Sequence, residues 1–141
     1  QRLSLQTKLR LYSSLVLSVL LYGSETWTLR KADSTKVQAF HMLSQRRILG
    51  IKWYDHVTNK AVKEKTGLLD LPILISDRRH SLFGHVCRLP PETPAHRALK
   101  LAIDIAAGAR PTTEWKRPQG RPRRTWLQQL EEDLGLDPAL R

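Results

Sequence analysis

With 141 residues the chain has room for one domain, or for a small core with a tail. Its 40% hydrophobic and 26% charged residues exclude the collagen-like and wholly disordered classes. Against 13 Asp and Glu stand 24 Lys and Arg, and the net charge of +11 disfavours a partner-free metabolic enzyme. Such a charge favours a polyanion, nucleic acid first and an anionic membrane surface second.

The first element in chain order is a helix over Leu3 to Tyr22. Leu9, Tyr12, Val16, Val19 and Leu20 recur at helical spacings, and Leu15 to Leu21 is apolar nearly all round. Such a helix must be covered on all sides, which makes it the expected centre of the core. The charge-free run from Leu11 to Ser24 falls short of the roughly 20 residues of a membrane span, so no membrane partner is expected. Tyr22-Gly23-Ser24-Glu25 is a poor signal-peptide cleavage site. The chain begins with Gln1 almost directly in helical pattern and reads as a piece of something longer.

Asp33 or Ser34 can cap a second helix, running to Leu49 with Gly50 behind it and Val37, Phe40, Leu43 and Ile48 as its apolar face. Thr58 caps a short Lys-rich helix that ends at Gly67. Asp70 and Pro72 open a longer one through Arg88, with Gly84 inside it at a cost of roughly 1 kcal/mol against Ala. Thr93-Pro94 starts a helix over Ala95 to Ala107. From Gly108 to Arg124 hydrophobic periodicity stops, and Pro111, Pro118 and Pro122 stand among six basic residues and one acid. A last amphipathic helix covers Pro122 to Leu134, with the acids Glu131, Glu132 and Asp133 in its final turn, where the helix dipole disfavours them. The expected fold is all-α: a small helical bundle over residues 1–107, a basic extended linker over 108–124, and a terminal helix and tail over 125–141.

No catalytic set is visible. The lone Cys87 excludes an intramolecular disulfide framework and any Cys-rich zinc finger within the chain. His80, His85 and Cys87 are close in sequence, but a tetrahedral site needs four ligands, and the five-residue step between the histidines turns them apart on a helix. There is no HExxH, phosphate-binding Gly loop or GxSxG elbow. No two aspartates are adjacent anywhere in the chain.

The basic segment is more informative. Arg117-Pro118-Gln119-Gly120-Arg121-Pro122-Arg123-Arg124 sets cations on a chain that proline holds extended. Arginine forks suit phosphate, and the flanking Trp115 and Trp126 are suited to stacking on bases. Gly120-Arg121-Pro122 is also similar to an AT-hook core, although Gln119 stands where the hook's first core arginine belongs. Arg46 and Arg47 lie in the last turn of the second helix, where they also complement its dipole. Arg78 and Arg79 share the middle turn of the long one.

These blocks together resemble a family. Leu9-Arg10-Leu11-Tyr12 leading into Leu17-Ser18-Val19-Leu20-Leu21-Tyr22-Gly23-Ser24-Glu25-Thr26-Trp27 looks like the segment just after the palm in reverse transcriptases of non-LTR (LINE-type) retrotransposons. Ala39-Phe40-His41-Met42 with Arg46-Arg47-Ile48-Leu49-Gly50-Ile51 is similar to that family's next block. So are Arg78-Arg79 followed by Leu82-Phe83-Gly84-His85-Val86, and Gly120-Arg121-Pro122 before Trp126. The blocks occur in the family's order across nearly the whole chain.

The resemblance implies a thumb that grips template–primer duplex by its backbone, followed by a linker that binds the element's RNA. The parent polymerase would use divalent metal, Mg, at palm aspartates that this chain lacks. The chain itself is therefore expected to be non-catalytic and to carry no cofactor. Expected partners are RNA, RNA–DNA or DNA duplex and the parent's palm, in nucleus or cytoplasm. On charge, clustering and motif position, Arg46, Arg47, Arg78 and Arg79 are the candidate duplex contacts. Lys116, Arg117, Arg121, Arg123, Arg124 and Trp126 are the candidate RNA contacts. The alternative is a helical adaptor that completes the polymerase fold with only incidental affinity for nucleic acid.

Overall fold

A computed structural model describes residues 3–110, 112, 114, 116, 119, 120 and 123–135. Among them every regular element is helical, so the chain is all-α, as its sequence predicts.

The first rod changes pitch along its length. Its α1 (Leu5–Leu11) starts on Ser4, whose Oγ accepts from the Thr7 amide at 3.2 Å. A π-helical stretch, Tyr12–Leu17, continues it without a break, and α2 (Ser18–Leu20) completes it. Serines mark the change: Ser14 Oγ donates to the Leu11 carbonyl at 3.4 Å and Ser18 Oγ to the Ser14 carbonyl at 2.5 Å. Hydroxyls that bond back to the preceding turn compete with the regular ladder. The i→i+5 pattern of a π turn brings residues five apart over one another. Tyr12 and Leu17 therefore share a side, Leu21 follows on it, and these three are buried.

Counting at α-helical spacing selects Val16 and Val19 instead, and this is a correction. Val19 is 75% exposed, and Leu15, Val16 and Tyr22 also face solvent, so the rod is covered on one side rather than all round. The wider turn moved the core face off the α-helical count.

The second long helix, α3 (Lys31–Leu49), begins earlier than Asp33 or Ser34 would set it. Asp33 lies in its first turn and accepts from Arg30 Nε at 2.9 Å. Its inward stripe is Val37, His41, Gln45 and Ile48, with Met42 beside it, whereas Phe40 and Leu43 are exposed. The expected apolar face was wrong at those two positions because half of the true stripe is polar. Each buried polar group there is hydrogen-bonded, as burial requires. Gln45 Oε1 accepts from Thr66 Oγ1 at 2.6 Å. His41 lies between the Tyr12 hydroxyl, 2.9 Å from Nδ1, and the Leu69 carbonyl, 3.1 Å from Nε2. A carbonyl only accepts, so Nε2 carries the proton and Nδ1 accepts from Tyr12 in the neutral ring.

The chemistry at the ends of the next helices matches the sequence. In α4 (Asn59–Thr66), Thr58 Oγ1 accepts from the Ala61 amide at 3.3 Å, and Gly67 closes it at φ 66°. Gly50 closes α3 in the same left-handed conformation, which a side chain would strain. The longest later helix, α5 (Leu71–Cys87), starts after Asp70, but its cap comes from α3: Gln38 Oε1 accepts from the Leu71 amide at 2.9 Å. Asp70 instead accepts from Gln38 Nε2 at 2.6 Å and Lys63 Nζ at 2.5 Å.

The hub is α5. It packs on α3, on the 3-10 turn Ser24–Thr26, on α6 (Pro94–Ala106) and on α7 (Trp126–Asp133), while α1 packs on α3. Leu71 and Ile75 of α5 meet Tyr12, Leu17 and Leu21 in the core, with Trp27, Leu29 and Leu74 around them. The described residues of the 108–124 segment form no helix, and α7 returns to the bundle through the buried Leu130.

Two predictions follow from these contacts. A Cβ on Gly84 would meet only the far end of the Arg88 side chain, at 3.2 Å from Nη1. Gly84→Ala should therefore raise stability by about 0.5–1 kcal/mol, read as a higher urea midpoint.

The second concerns His41. Burial pushes its pKa below the ordinary 6.5, against smaller opposing effects of the Leu69 carbonyl and Asp70. The unfolded chain takes the proton first, so the stability due to neutral His41 is complete above pH 6.5 and is lost as pH falls through the folded-state value. Urea midpoints measured from about pH 7.5 down to about pH 5 should fall, and more steeply in the parent chain than in His41→Gln.

Candidate nucleic-acid interface

Three of the sequence candidates meet at the joint between α5 and α7. Arg79 points inward from α5 and is 2% exposed. Its guanidinium pairs with Asp133 of α7 and donates to the Trp27 carbonyl at 3.3 Å. Burial and the nearby Arg124 lower its pKa, but a guanidinium stays charged in a protein. Arg124 donates to the Leu29 carbonyl at 2.6 Å and pairs with Glu132. Trp126 Nε1 donates to the Glu25 carbonyl at 2.8 Å, and its ring lies 6.3 Å from that of Phe83. A capping box between Thr125 and Gln128 starts α7 here.

This geometry gives the three residues partners inside the fold. Arg79 is buried, and its charge is met by a partner within the protein. Arg124 and Trp126 are likewise engaged in seating α7. It also accounts for acids at the unfavourable end of a helix, since Glu132 and Asp133 each answer an arginine.

The other candidates divide. Arg78 is exposed but donates to the Leu21 carbonyl at 2.8 Å. Arg46 is half-buried and donates from one nitrogen to the Val57 carbonyl at 2.8 Å and to Asn59 Oδ1 at 2.7 Å. Arg47, Lys116 and Arg123 are exposed, with no carboxylate partner among the described residues. Arg117 and Arg121 lie outside the described residues, as does Trp115. The structure thus gathers Arg79, Arg124 and Trp126 into one structural joint and leaves Arg47, Lys116 and Arg123 open.

Charge reasoning missed Trp53 and Tyr54, which stand exposed in the connection between α3 and α4 beside Lys52. The available signal was their place between the Gly50 stop and the Thr58 cap, outside any amphipathic helix.

Among the described residues no three or more His, Cys, Asp or Glu side chains converge as a metal site. No described helix is long and apolar enough to cross a membrane.

In comparisons with known proteins, no family model matches the chain, and no solved structure matches it. It is similar to a Caenorhabditis elegans protein described as an uncharacterized transposon-derived protein, at 28% identity over 131 residues. That match covers 90% of this chain and 44% of the relative, so the chain spans less than half of the protein it resembles. The similarity supports a transposon origin.

The contrast between the joint and the open cations is measurable. Asp133→Ala leaves Arg79 buried and unpaired and should cost about 3 kcal/mol in urea unfolding, whereas Arg123→Ala should stay within about 0.5 kcal/mol.

Proposed function

We propose that this chain is a non-catalytic, nucleic-acid-binding portion of a retrotransposon RNA-directed DNA polymerase, resembling the thumb and linker that follow the palm. It holds template–primer or element RNA through phosphate contacts. The observation that carries the reading is the surplus of exposed cations without carboxylate partners. Arg30, Lys63, Arg79 and Arg124 are ion-paired among the described residues, while Arg47, Lys52, Lys60, Lys116 and Arg123 are exposed and are not. Free cations release counterions from a polyanion, which gives affinity without sequence preference. The transposon-derived relative and the order of the family-like blocks support the polymerase parentage, and the lack of adjacent aspartates supports a non-catalytic part.

A second reading has its own observation. Leu11, Leu15, Val16 and Val19 on the first rod, and Tyr22 just beyond it, are exposed large apolar side chains. Exposed apolar surface gathered on one element suits an interaction surface, as an adaptor docked on the parent's palm would use.

Fluorescence anisotropy with an RNA–DNA hybrid, single-stranded RNA and duplex DNA across a salt series tests the first reading. Affinity should fall linearly in log–log form with salt. Arg47→Ala, Lys116→Ala and Arg123→Ala should each weaken all three ligands and reduce the slope by about 1. Binding no stronger than that of a charge-matched unrelated protein would reject it and leave the adaptor.

A further inference from the structure

The connection from α3 to α4 is held at both ends by its own hydrogen bonds. Its 3-10 turn, Trp53–Asp55, is closed by Asp55, whose Oδ2 accepts from the Lys52 amide at 2.7 Å. Beyond it, Arg46 reaches from α3 to the Val57 carbonyl and to Asn59. His56 between them adopts φ 50°, a left-handed conformation that a non-glycine residue takes at a cost. None of these bonds uses an aromatic ring.

The two rings of this loop are turned outward. Trp53 is 86% exposed and Tyr54 58%. Their centroids lie 5.6 Å apart with planes at 76°, an edge-to-face pair in which each ring keeps a face that the other does not cover. Rings of this size ordinarily drive burial, yet here a fixed loop holds them in water.

The chain that flanks them is positive. Arg47 ends α3, Lys52 precedes the rings, and Lys60 sits in the first turn of α4. All three are exposed and lack carboxylate partners among the described residues, while the nearest acid, Asp55, is engaged in closing the turn. Exposed rings between free cations match what an unpaired nucleotide offers, a flat base and a phosphate. A duplex keeps its base faces inside its own stack and would meet only the cations.

We propose that Trp53 and Tyr54, with Arg47, Lys52 and Lys60, form a stacking site for unpaired nucleotides of a single-stranded polynucleotide. The inference deepens the function proposed above and rests on it.

The test uses the purified chain with fluorescein-labelled oligouridylate, oligothymidylate and a blunt duplex. Trp53→Ala should weaken both single strands by about fivefold to a hundredfold, leave the duplex unchanged and leave the salt slope unaltered. Trp53→Phe, which keeps a ring, should restore most of that loss. Single-strand binding should quench the indole emission of the parent chain, and that quenching should be lost in Trp53→Phe. Unchanged urea midpoints should show that the exposed ring is dispensable to the fold.

Strong, salt-dependent binding of all ligands with no effect of Trp53→Ala would overturn the stacking site and leave the phosphate-binding function standing. Equal weakening of strand and duplex would also overturn it, as loss of loop support. No binding of any ligand would overturn both.

Discussion

A guanidinium on the inward side of α5 dictates much of the rest. Arg79 cannot shed its proton, and water does not reach it, so the fold is complete only when a carboxylate arrives. That carboxylate, Asp133, belongs to the last described helix, 54 residues away. Seating it brings Leu130 into the core, sets Trp126 against the Glu25 carbonyl and carries Arg124 to the Leu29 carbonyl. Basic residues that look like ligand contacts in the sequence thus close the bundle on itself. The cations that this closure leaves outside, Arg47, Lys116 and Arg123 among them, face solvent without carboxylate partners among the described residues.

The polar stripe of α3 is a second organising element. The half-buried Gln38 and the buried His41 and Gln45 each satisfy a group on the 66–71 segment: the Leu71 amide, the Leu69 carbonyl and the Thr66 hydroxyl. A hydrogen-bonded stripe fixes one register between helices, where an apolar one would accept several. Arg46, the residue after Gln45, reaches the loop that carries Trp53 and Tyr54. That loop is therefore held both from α3 and by its own Asp55–Lys52 closure.

What could be read in advance follows the range of the physics involved. Thr58, Gly50, Gly67 and Thr93-Pro94 act within one helical turn, and the helices stop and start at them. The all-α class follows from those local signals. Sidedness was less legible. Arg78 and Arg79 are adjacent and identical, but Arg79 continues the buried Leu71–Ile75 face of α5, where the Trp27 carbonyl and α7 cover it, and Arg78 does not. The burial of His41 and Gln45 has no local signal, because their partners are more than 20 positions away. Trp53 and Tyr54 carry no periodic signal of their own, and only the fold shows both rings in water.

The π-helical stretch carries a consequence for how the rod can vary. Its wider turn accommodates one more residue than an α-helix of the same span would need. Removing a single residue between Tyr12 and Leu17 would let the rod run as continuous α-helix, because the α-helical turns, at about 100° per residue, would cover nearly the same rotation with one residue fewer. The face of Leu5–Leu11 that meets α3 would keep its direction. The stretch thus works as a splice that absorbs a residue, and a one-residue deletion there would be felt as the loss of one side chain rather than as a rotation.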